Sequence, residues 1–392
     1  MQGELPSAHS PLGASSAKRF LECPASVGLG WGVVDDESDH ASLGTAAHSI
    51  GEYCLNVGLD AWECIGKTTV GNTPVDKDMA DAVQVYLDFV RSNFPNQNQG
   101  NTWVERRFHC PSLHELFYGT SDFAHLNERH GVLHIVDYKH GAGIVVEATD
   151  NPQLMYYACG MLEDLMIWDH VETVVLWIAQ PRGFHFDGPI RRFEISVADL
   201  QVWLWDELLP GMDRALASHD TKSGEHCRFC PARFRACPQI KSDLEELEKL
   251  MTDMSKRTAP EWTNEELGRF ASLFDIAKVA NKAHDSVIFE RLQAGQVVQG
   301  KKLAAARTNR EWKPEVEDEA KKVFGDRAYT DPELKSPAEI EKLAKGKDFT
   351  ARWAFKPEGK LTVVSTTDAR PAISKDTKSM FEKATKQRKG AK

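Results

Sequence analysis

The residues best suited to chemistry in this chain are Asp122 and the segment Asp137-Tyr138-Lys139, which begins fifteen residues later. The alternation of apolar and polar residues predicts that they lie on neighbouring strands of one hairpin. Residues i and i+2 of a strand face the same side, so Asp137 and Lys139 project together and Asp122 can join them. Two carboxylates suit Mg²⁺ or Mn²⁺, and a nearby lysine can orient or deprotonate an attacking water or steady a developing anion. Phosphodiester hydrolysis requires this combination.

The alternative interpretation is that the Asp-x-Lys pattern marks an ordinary solvated strand face. The segment 133–139 has an apolar stem and becomes charged only at its carboxyl end, where a strand can open into a cleft. Glu105, on the preceding predicted strand, is either an accessory acid of the site or a surface or structural residue. The segment Gln180-Pro181-Arg182, at the end of a later strand, is a candidate substrate contact.

Two further motifs give the chain a family resemblance. The pattern resembles the RecB-like branch of the PD-(D/E)XK nuclease superfamily, which adds a histidine on an upstream helix and Gln-x-x-x-Tyr on the helix after the Asp-x-Lys strand. Gly44-Thr-Ala-Ala-His48 and Gln153-Leu-Met-Tyr-Tyr157 match these two elements. Taken singly, His48 also fits a structural helix residue, Gln153 a first-turn residue and Tyr157 a core residue.

The resemblance implies a role for each of these residues. The ligands of Mg²⁺ or Mn²⁺ would be His48, Asp122, Asp137 and the backbone carbonyl of Tyr138. Lys139 would be the catalytic lysine, while Gln153 and Tyr157 would position the DNA backbone or the lysine. The implied activity is that of a divalent-metal-dependent DNA exonuclease acting on linear or single-stranded DNA. A non-catalytic or partner-dependent DNA-binding subunit, or an endonuclease with a structural zinc site, is the alternative.

Four of the eight cysteines form a second candidate site. Cys227-x-x-Cys230 is followed by Cys237, and Cys23 lies about two hundred residues upstream. The Cys-x-x-Cys pattern fits zinc, an iron–sulfur cluster or a redox dithiol, but a redox pair would not need Cys23 or Cys237. The CRISPR-associated RecB-like exonucleases and AddAB-type nuclease domains, which the chain resembles, place one cysteine before the catalytic core and three after it. This resemblance favours a [4Fe–4S] cluster, with structural Zn²⁺ as the alternative.

Composition limits the class of protein. The net charge of −10 argues mildly against a nucleic-acid partner, although DNA binding needs only a local basic stripe. No apolar run has the length of a signal peptide or a membrane span, which predicts a soluble, cytoplasmic protein with reduced thiols and no membrane partner. The resemblance to phage and prophage proteins described below implies that this cytoplasm is that of a bacterial host. The chain lacks a Gly-x-x-x-x-Gly-Lys-Ser/Thr phosphate loop, so any motor must come from a partner.

Periodicity predicts an α/β fold, in which a restriction-endonuclease-like mixed sheet is flanked by helices and followed by a helical C-terminal extension. The predicted helices are 44–55, 76–94, 152–165, 197–217, 242–255 and 263–294. The predicted strands are 102–109, 117–125, 132–139, 144–148, 172–180 and 191–195.

The predicted domains are a nuclease domain over 1–245, a helical and basic extension over 246–355, and a basic, disordered tail over 356–392. The extension resembles the corresponding part of a phage and prophage protein family, which suggests a phage recombination or replication protein as partner. Its cations are either a phosphate-binding cluster or a solvated charged hairpin. They are Lys301, Lys302, Arg307, Arg310 and Lys313.

Overall fold

The computed structural model describes most of the chain and divides it into two compact units, 1–280 and 281–392. Residue 245, the predicted end of the nuclease domain, lies within a helix of the first unit. The described residues are 10–32, 39–69, 72–94, 101–234, 237–258, 261–305, 311–312, 316–330, 333–341, 343, 345–355 and 361–365.

Nine of the described helices begin in the first unit. They are α1 (Ala17–Glu22), α2 (Ser26–Gly30), α3 (Asp39–Val57), α4 (Lys77–Asn93), α5 (Pro152–Asp164), α6 (Val197–Trp203), α7 (Leu209–Ala217), α8 (Pro238–Met254) and α9 (Asn264–Gln293). A single π-helical turn, Leu204–Leu208, joins α6 to α7, so the predicted helix 197–217 is continuous but locally widened.

The first unit is built around a five-stranded mixed sheet. Its strands, which lie side by side in chain order, are β1 (Thr102–His109), β2 (Tyr118–Asn127), β3 (Val132–Tyr138), β4 (Thr173–Ala179) and β5 (Ile190–Ser196). Only β3 and β4 are parallel, because the connection between them crosses over through α5. The predicted mixed sheet with flanking helices and a helical C-terminal region is confirmed.

The two faces of the sheet bury different helices. Leu133 and Ile135 belong to a core that includes residues of α5, α6 and α7. Val136 and Tyr138 instead belong to a core formed with α3 and α4. Asp137 follows Ile135 by two positions, so its side chain lies on the same face of the sheet as that of Ile135.

Helix α5 packs unusually close to the sheet. A Cβ added at Gly160 would overlap the ring of Phe108 on β1, so the absence of a side chain permits the contact. Asn151 caps the helix by accepting hydrogen bonds from the backbone N–H groups of Gln153 (3.0 Å) and Leu154 (3.3 Å). The close packing and the cap together set where Gln153 and the first turn lie relative to β3.

The predicted strand over 144–148 is wrong. This segment is a loop whose backbone bonds to side chains instead of to a neighbouring strand. The side-chain amide of Gln180 donates to the carbonyl of Ile144 (2.7 Å) and its oxygen accepts from the N–H of Val146 (3.0 Å). Arg191 donates to the carbonyl of Val146 (2.8 and 3.0 Å). The Ile-Val-Val run indicated a strand, but these tertiary hydrogen bonds outweigh its propensity.

The described residues of the second unit form the end of α9, small paired strands and three further helices. Its helices are α10 (Val316–Phe324), α11 (Pro337–Ile340) and α12 (Gly346–Trp353). Its strand pairs are β6 (Lys301–Ala305) with β11 (Leu361–Ser365), β7 (Glu311–Trp312) with β10 (Ala354–Phe355), and β8 (Tyr329–Thr330) with β9 (Glu333–Leu334). The strand β11 lies in the segment predicted to be a disordered tail, so residues 361–365 correct that prediction; the remainder of 356–392 lies outside the described residues.

Candidate metal centre

Two aspartates meet at one end of the sheet. Strands β2 and β3 pair with Phe123 opposite Val136, and one more residue in this register places Asp122 opposite Asp137. Asp122 Oδ2 accepts a hydrogen bond from the backbone N–H of Tyr138 at 2.8 Å. Both aspartates are buried, so the predicted pair of carboxylates occurs in a pocket with little access to bulk water.

A third acid and a histidine complete a group with the donor set of a metal site. Each of His48, Glu105 and Asp122 offers one ligand atom within 4.8 Å of the others, and no other such trio of His, Cys, Asp or Glu occurs in the described residues. His48 Nδ1 lies 3.3 Å from Asp122 Oδ2 and 3.8 Å from Glu105 Oε1. One imidazole nitrogen and two carboxylates are compatible with a divalent metal ion.

Glu105 reaches this group through an uncommon backbone conformation. Its φ of +46° lies in the left-handed region, although it sits inside β1. The β1–β2 pairing skips it: Val104 pairs with Phe123 and Arg106 with Ser121. A non-glycine residue in this region costs roughly 1–3 kcal/mol, and such strained residues cluster at functional sites. The sequence left Glu105 undecided, because residue type alone does not reveal a local distortion of a strand.

The remaining predicted residues form a hydrogen-bonded chain beside the acids. Lys139 Nζ lies 2.9 Å from Asp137 Oδ2 and donates to Asp137 Oδ1 at 3.2 Å. The same ammonium donates to Gln153 Oε1 at 2.9 Å, and Gln153 Nε2 donates to the Tyr157 hydroxyl at 2.9 Å. Helix α5 thus supplies the two groups that hold the lysine against Asp137.

Asp137 keeps one oxygen that can still accept a ligand. Despite its 2.9 Å separation from the Lys139 ammonium, Oδ2 has no partner of hydrogen-bonding geometry within the described chain, and it is buried. A buried carboxylate oxygen without a donor is costly unless a cation or a water occupies the space beside it. The residues present therefore fit a divalent cation next to Asp137 as well as next to Asp122.

The charges of the cluster explain why a cation would stabilise it. Burial raises the pKa of Asp137 to about 6 even though Lys139 opposes the shift, and burial likewise raises the pKa of Asp122 despite His48. Burial alone would lower the pKa of His48, but Asp122, Glu105 and Asp137 outweigh it and raise that pKa to about 9. Without metal, the two aspartates and His48 therefore keep their protons to a higher pH than usual, and a divalent cation would displace those protons.

Tyr138 turns its ring to the opposite face of the sheet, where it forms the wall behind the acids. Its ring contacts those of His48 and Tyr86 at centroid distances of 5.4 and 5.2 Å. Its hydroxyl lies 2.9 Å from His140 Nδ1, and Arg182 Nη1 lies 2.8 Å from His140 Nε2. Gln180 is buried and holds the 141–146 loop, so of the segment 180–182 only Arg182 is exposed.

The chain brings its first cysteine to the distant cysteine segment. Cys23, Cys227 and Cys230 are buried, and Cys237 packs against the small cluster that contains Cys227. Burial alone would lower the pKa of His226, but hydrogen bonds with the Cys227 and Cys23 thiols raise it to about 11. Against the effect of burial, His226 and the Lys222 N–H lower the pKa of Cys23. Burial instead raises the pKa of Cys230. Four cysteines are the ligand set of a zinc or an iron–sulfur site, and no three of their sulfur atoms, all in the described part of the chain, lie within 4.8 Å of one another.

The predicted basic cluster is only partly described. Lys301 and Lys302 lie on β6 of the second unit, where Lys301 is exposed and Lys302 is half-buried. Arg307, Arg310 and Lys313 lie outside the described residues.

A comparison with known families places most of this chain in one of them. Residues 9–371 match the family model described as "Protein of unknown function (DUF2800)". The chain belongs to the DUF2800 family. The match includes both candidate sites of this DUF2800 chain, the acidic centre on the sheet and the four cysteines.

The prediction that this DUF2800 chain has no membrane span concerns the length and composition of its helices. Across the described residues, no helix combines the length and the apolar character needed to cross a bilayer.

Proposed function

We propose that this chain is a divalent-metal-dependent DNA exonuclease of the RecB-like PD-(D/E)XK type. One observation carries the proposal. The Asp137–Lys139–Gln153–Tyr157 chain of contacts lies directly beside the group formed by His48, Glu105 and Asp122. A surface strand face would leave Asp137 and Lys139 solvated, whereas here Asp137 is buried and Lys139 is held from two sides.

Each side chain has a task in hydrolysis. His48, Asp122, Asp137 and Glu105 would hold Mg²⁺ or Mn²⁺, together with the carbonyl of Tyr138. A bound divalent ion supplies Lewis acidity and lowers the pKa of its water. Lys139 orients the attacking water or neutralises charge on the phosphate, and Gln153 keeps the ammonium pointed at the site. Tyr157, through Gln153, positions the lysine.

The cysteines serve structure in this proposal. Cys23, Cys227, Cys230 and Cys237 would bind a [4Fe–4S] cluster, with Zn²⁺ as the alternative. Cys23 precedes the strands of the sheet and the other three follow them, so a bound cluster would tie together the two ends of the segment that carries the metal centre. Closing so long a loop can stabilise the fold by restricting the unfolded chain.

The proposed setting follows from the resemblance of the extension to phage and prophage proteins. The chain would act on linear or single-stranded DNA in the cytoplasm of a bacterial host, during phage recombination or replication. A partner protein from that process would supply any motor function.

The test uses protein purified without oxygen and two forms of one DNA, end-labelled linear and covalently closed circular. We expect Mg²⁺- or Mn²⁺-dependent degradation of the linear form only. Asp137→Asn should abolish it, while Asp78→Asn, which changes an exposed carboxylate of α4, should not. Cleavage of closed circles would refute the exonuclease assignment, and equal activity of Asp137→Asn and wild type would refute the assigned site. DNA binding without cleavage under all metal conditions would instead indicate a binding subunit.

A further inference from the structure

The loop between β4 and β5 presents two aromatic side chains to solvent. Phe184 is 92% exposed and Phe186 is 86% exposed, the largest exposures of any phenylalanine in the described chain. A single exposed phenylalanine needs no explanation, but two exposed rings within three residues form an apolar area that a partner could cover. The loop is therefore a candidate contact surface.

The loop is held in place at several points. The N–H of Gln180 donates to the carbonyl of Pro189 at 2.8 Å and closes its base. Inside the loop, His185 Nε2 lies 3.3 Å from Glu147 Oε1, and His185 Nδ1 accepts from the N–H of Asp187 at 3.0 Å. The ring of Phe186 stacks on His185 at a centroid distance of 4.4 Å. These contacts fix the orientation of the Phe186 ring before any partner binds.

This loop emerges at the end of the sheet that carries the acids. Ala179, the last residue of β4, pairs with Tyr138, and its carbonyl accepts from the N–H of Lys139 at 2.8 Å. The side chain of Arg182, two residues before Phe184, contacts His140, which in turn contacts the Tyr138 hydroxyl. The stem of the loop therefore lies at the same end of the sheet as Asp137 and Lys139, and two short contacts join Arg182 to the Tyr138 ring on the opposite face.

The stem also carries a cation. Arg182 is exposed, and its one described polar contact is the ring nitrogen of His140; no carboxylate within the described residues pairs with it. Its charge is therefore available to a phosphate beside the two rings.

We propose that Phe184 and Phe186 form a stacking platform for unpaired bases of single-stranded DNA, with Arg182 contacting the intervening phosphate. This inference rests on the proposed nuclease function and extends it to the form of the substrate. Bases in a single strand expose their faces, and aromatic side chains next to cations bind them with little sequence preference. Bases in a duplex are already stacked on their neighbours, so the platform selects a frayed or single-stranded end for the adjacent metal centre.

The composition of the loop favours a nucleic acid over a protein partner. The exposed charged side chains around the rings are Arg182, Asp187 and Glu147 of the neighbouring loop, and no exposed aliphatic residue of the described chain lies between positions 181 and 188. A protein interface would bring a broader apolar surface than two rings. Two aromatic faces beside an arginine suit a base–phosphate–base unit.

The test is a binding measurement on the full chain in Ca²⁺, so that it does not depend on cleavage. The probes are a fluorescein-labelled 20-residue oligothymidylate and a blunt duplex of the same length. Phe184→Ala/Phe186→Ala should weaken oligothymidylate binding roughly tenfold to a hundredfold and change duplex binding less than about twofold. Phe184→Leu/Phe186→Leu, which keeps apolar area without aromatic faces, should behave like the alanine variant, and Phe184→Tyr/Phe186→Tyr should retain wild-type affinity.

The outcomes separate this inference from the proposed function. Equal loss on both probes, no loss on either, or wild-type affinity of the leucine variant would each overturn the stacking platform. If the wild-type chain degrades no DNA in Mn²⁺, the proposed activity fails while the binding comparison still decides the platform. If cleavage is found and the alanine variant binds oligothymidylate as wild type does, only the platform fails.

Discussion

Glu105 is a proposed metal ligand and also has a strained backbone conformation. Two different substitutions at this position separate these two properties. Glu105→Gly removes both the carboxylate and the Cβ that makes a φ of +46° unfavourable. Glu105→Gln removes the charge but keeps the strain. In both variants the repulsion of Asp122 by Glu105 and the attraction of His48 to Glu105 are lost together. The difference in melting temperature between the two variants therefore reports the cost of the backbone conformation at position 105.

The expected magnitudes follow from the geometry. Relief of left-handed strain contributes roughly 1–2 kcal/mol, and the added flexibility of glycine in the unfolded chain offsets part of it, leaving about 1 kcal/mol. Metal-free Glu105→Gly should therefore melt about 2–4 °C above Glu105→Gln. Each variant should bind Mn²⁺ at least about tenfold more weakly than wild type, because one of its ligands is removed.

The assay is thermal unfolding of the metal-free and Mn²⁺-loaded chain, with Mn²⁺ affinity from calorimetric titration. The matched control is Glu52→Gln, which changes an exposed acid on the same helix as His48 and should match wild type in both measurements. Equal melting temperatures of the two Glu105 variants would refute the strain argument. Wild-type Mn²⁺ affinity in either Glu105 variant would refute the ligand assignment.

Three other predictions address the acids, the packing and the cysteines. The pKa of Asp137 is raised to about 6 from its ordinary 3.8, so the metal-free fold loses stability as pH rises through about 6. The rise in melting temperature that Mn²⁺ produces should therefore grow between about pH 5 and pH 8. A rise that stays constant over this range would contradict the raised pKa of Asp137. Gly160→Ala should lower the free energy of unfolding by about 1–3 kcal/mol in chemical denaturation because its Cβ meets Phe108, whereas Gly268→Ala, in open space on α9, should be neutral or stabilising. Anaerobically purified protein should be brown and contain iron and sulfide, and Cys230→Ser should lose both while Cys110→Ser keeps them; a colourless zinc protein would contradict the cluster.

The arrangement of Asp122, Asp137 and Lys139 could be predicted because it depends on strand periodicity and on a hairpin register. Both of these follow from the local sequence. The contact of Lys139 with Gln153 depends on where α5 begins, and the Asn151-Pro152 signal marks that position. The structure brings these side chains together as the pattern predicts, and their catalytic roles stay predictions.

Features set by tertiary contacts were less accessible. The inward position of Glu105 needs a distorted strand, and the loop at 144–148 needs the side chains of Gln180 and Arg191, which lie more than thirty residues away in the chain. Exposure of Phe184 and Phe186 likewise depends on the folded loop, because two phenylalanines in a turn-rich segment fit a buried cluster equally well.

In the proposed function, Lys139 and the adjacent acids carry out the hydrolysis of DNA. The direct measurement is release of acid-soluble nucleotides from linear DNA in Mn²⁺ by wild type, Lys139→Met and the surface control Lys77→Met. We expect Lys139→Met to lose at least about a hundredfold in rate while still binding Mn²⁺, and Lys77→Met to cleave as wild type does. Cleavage by Lys139→Met at the wild-type rate would contradict this role of Lys139.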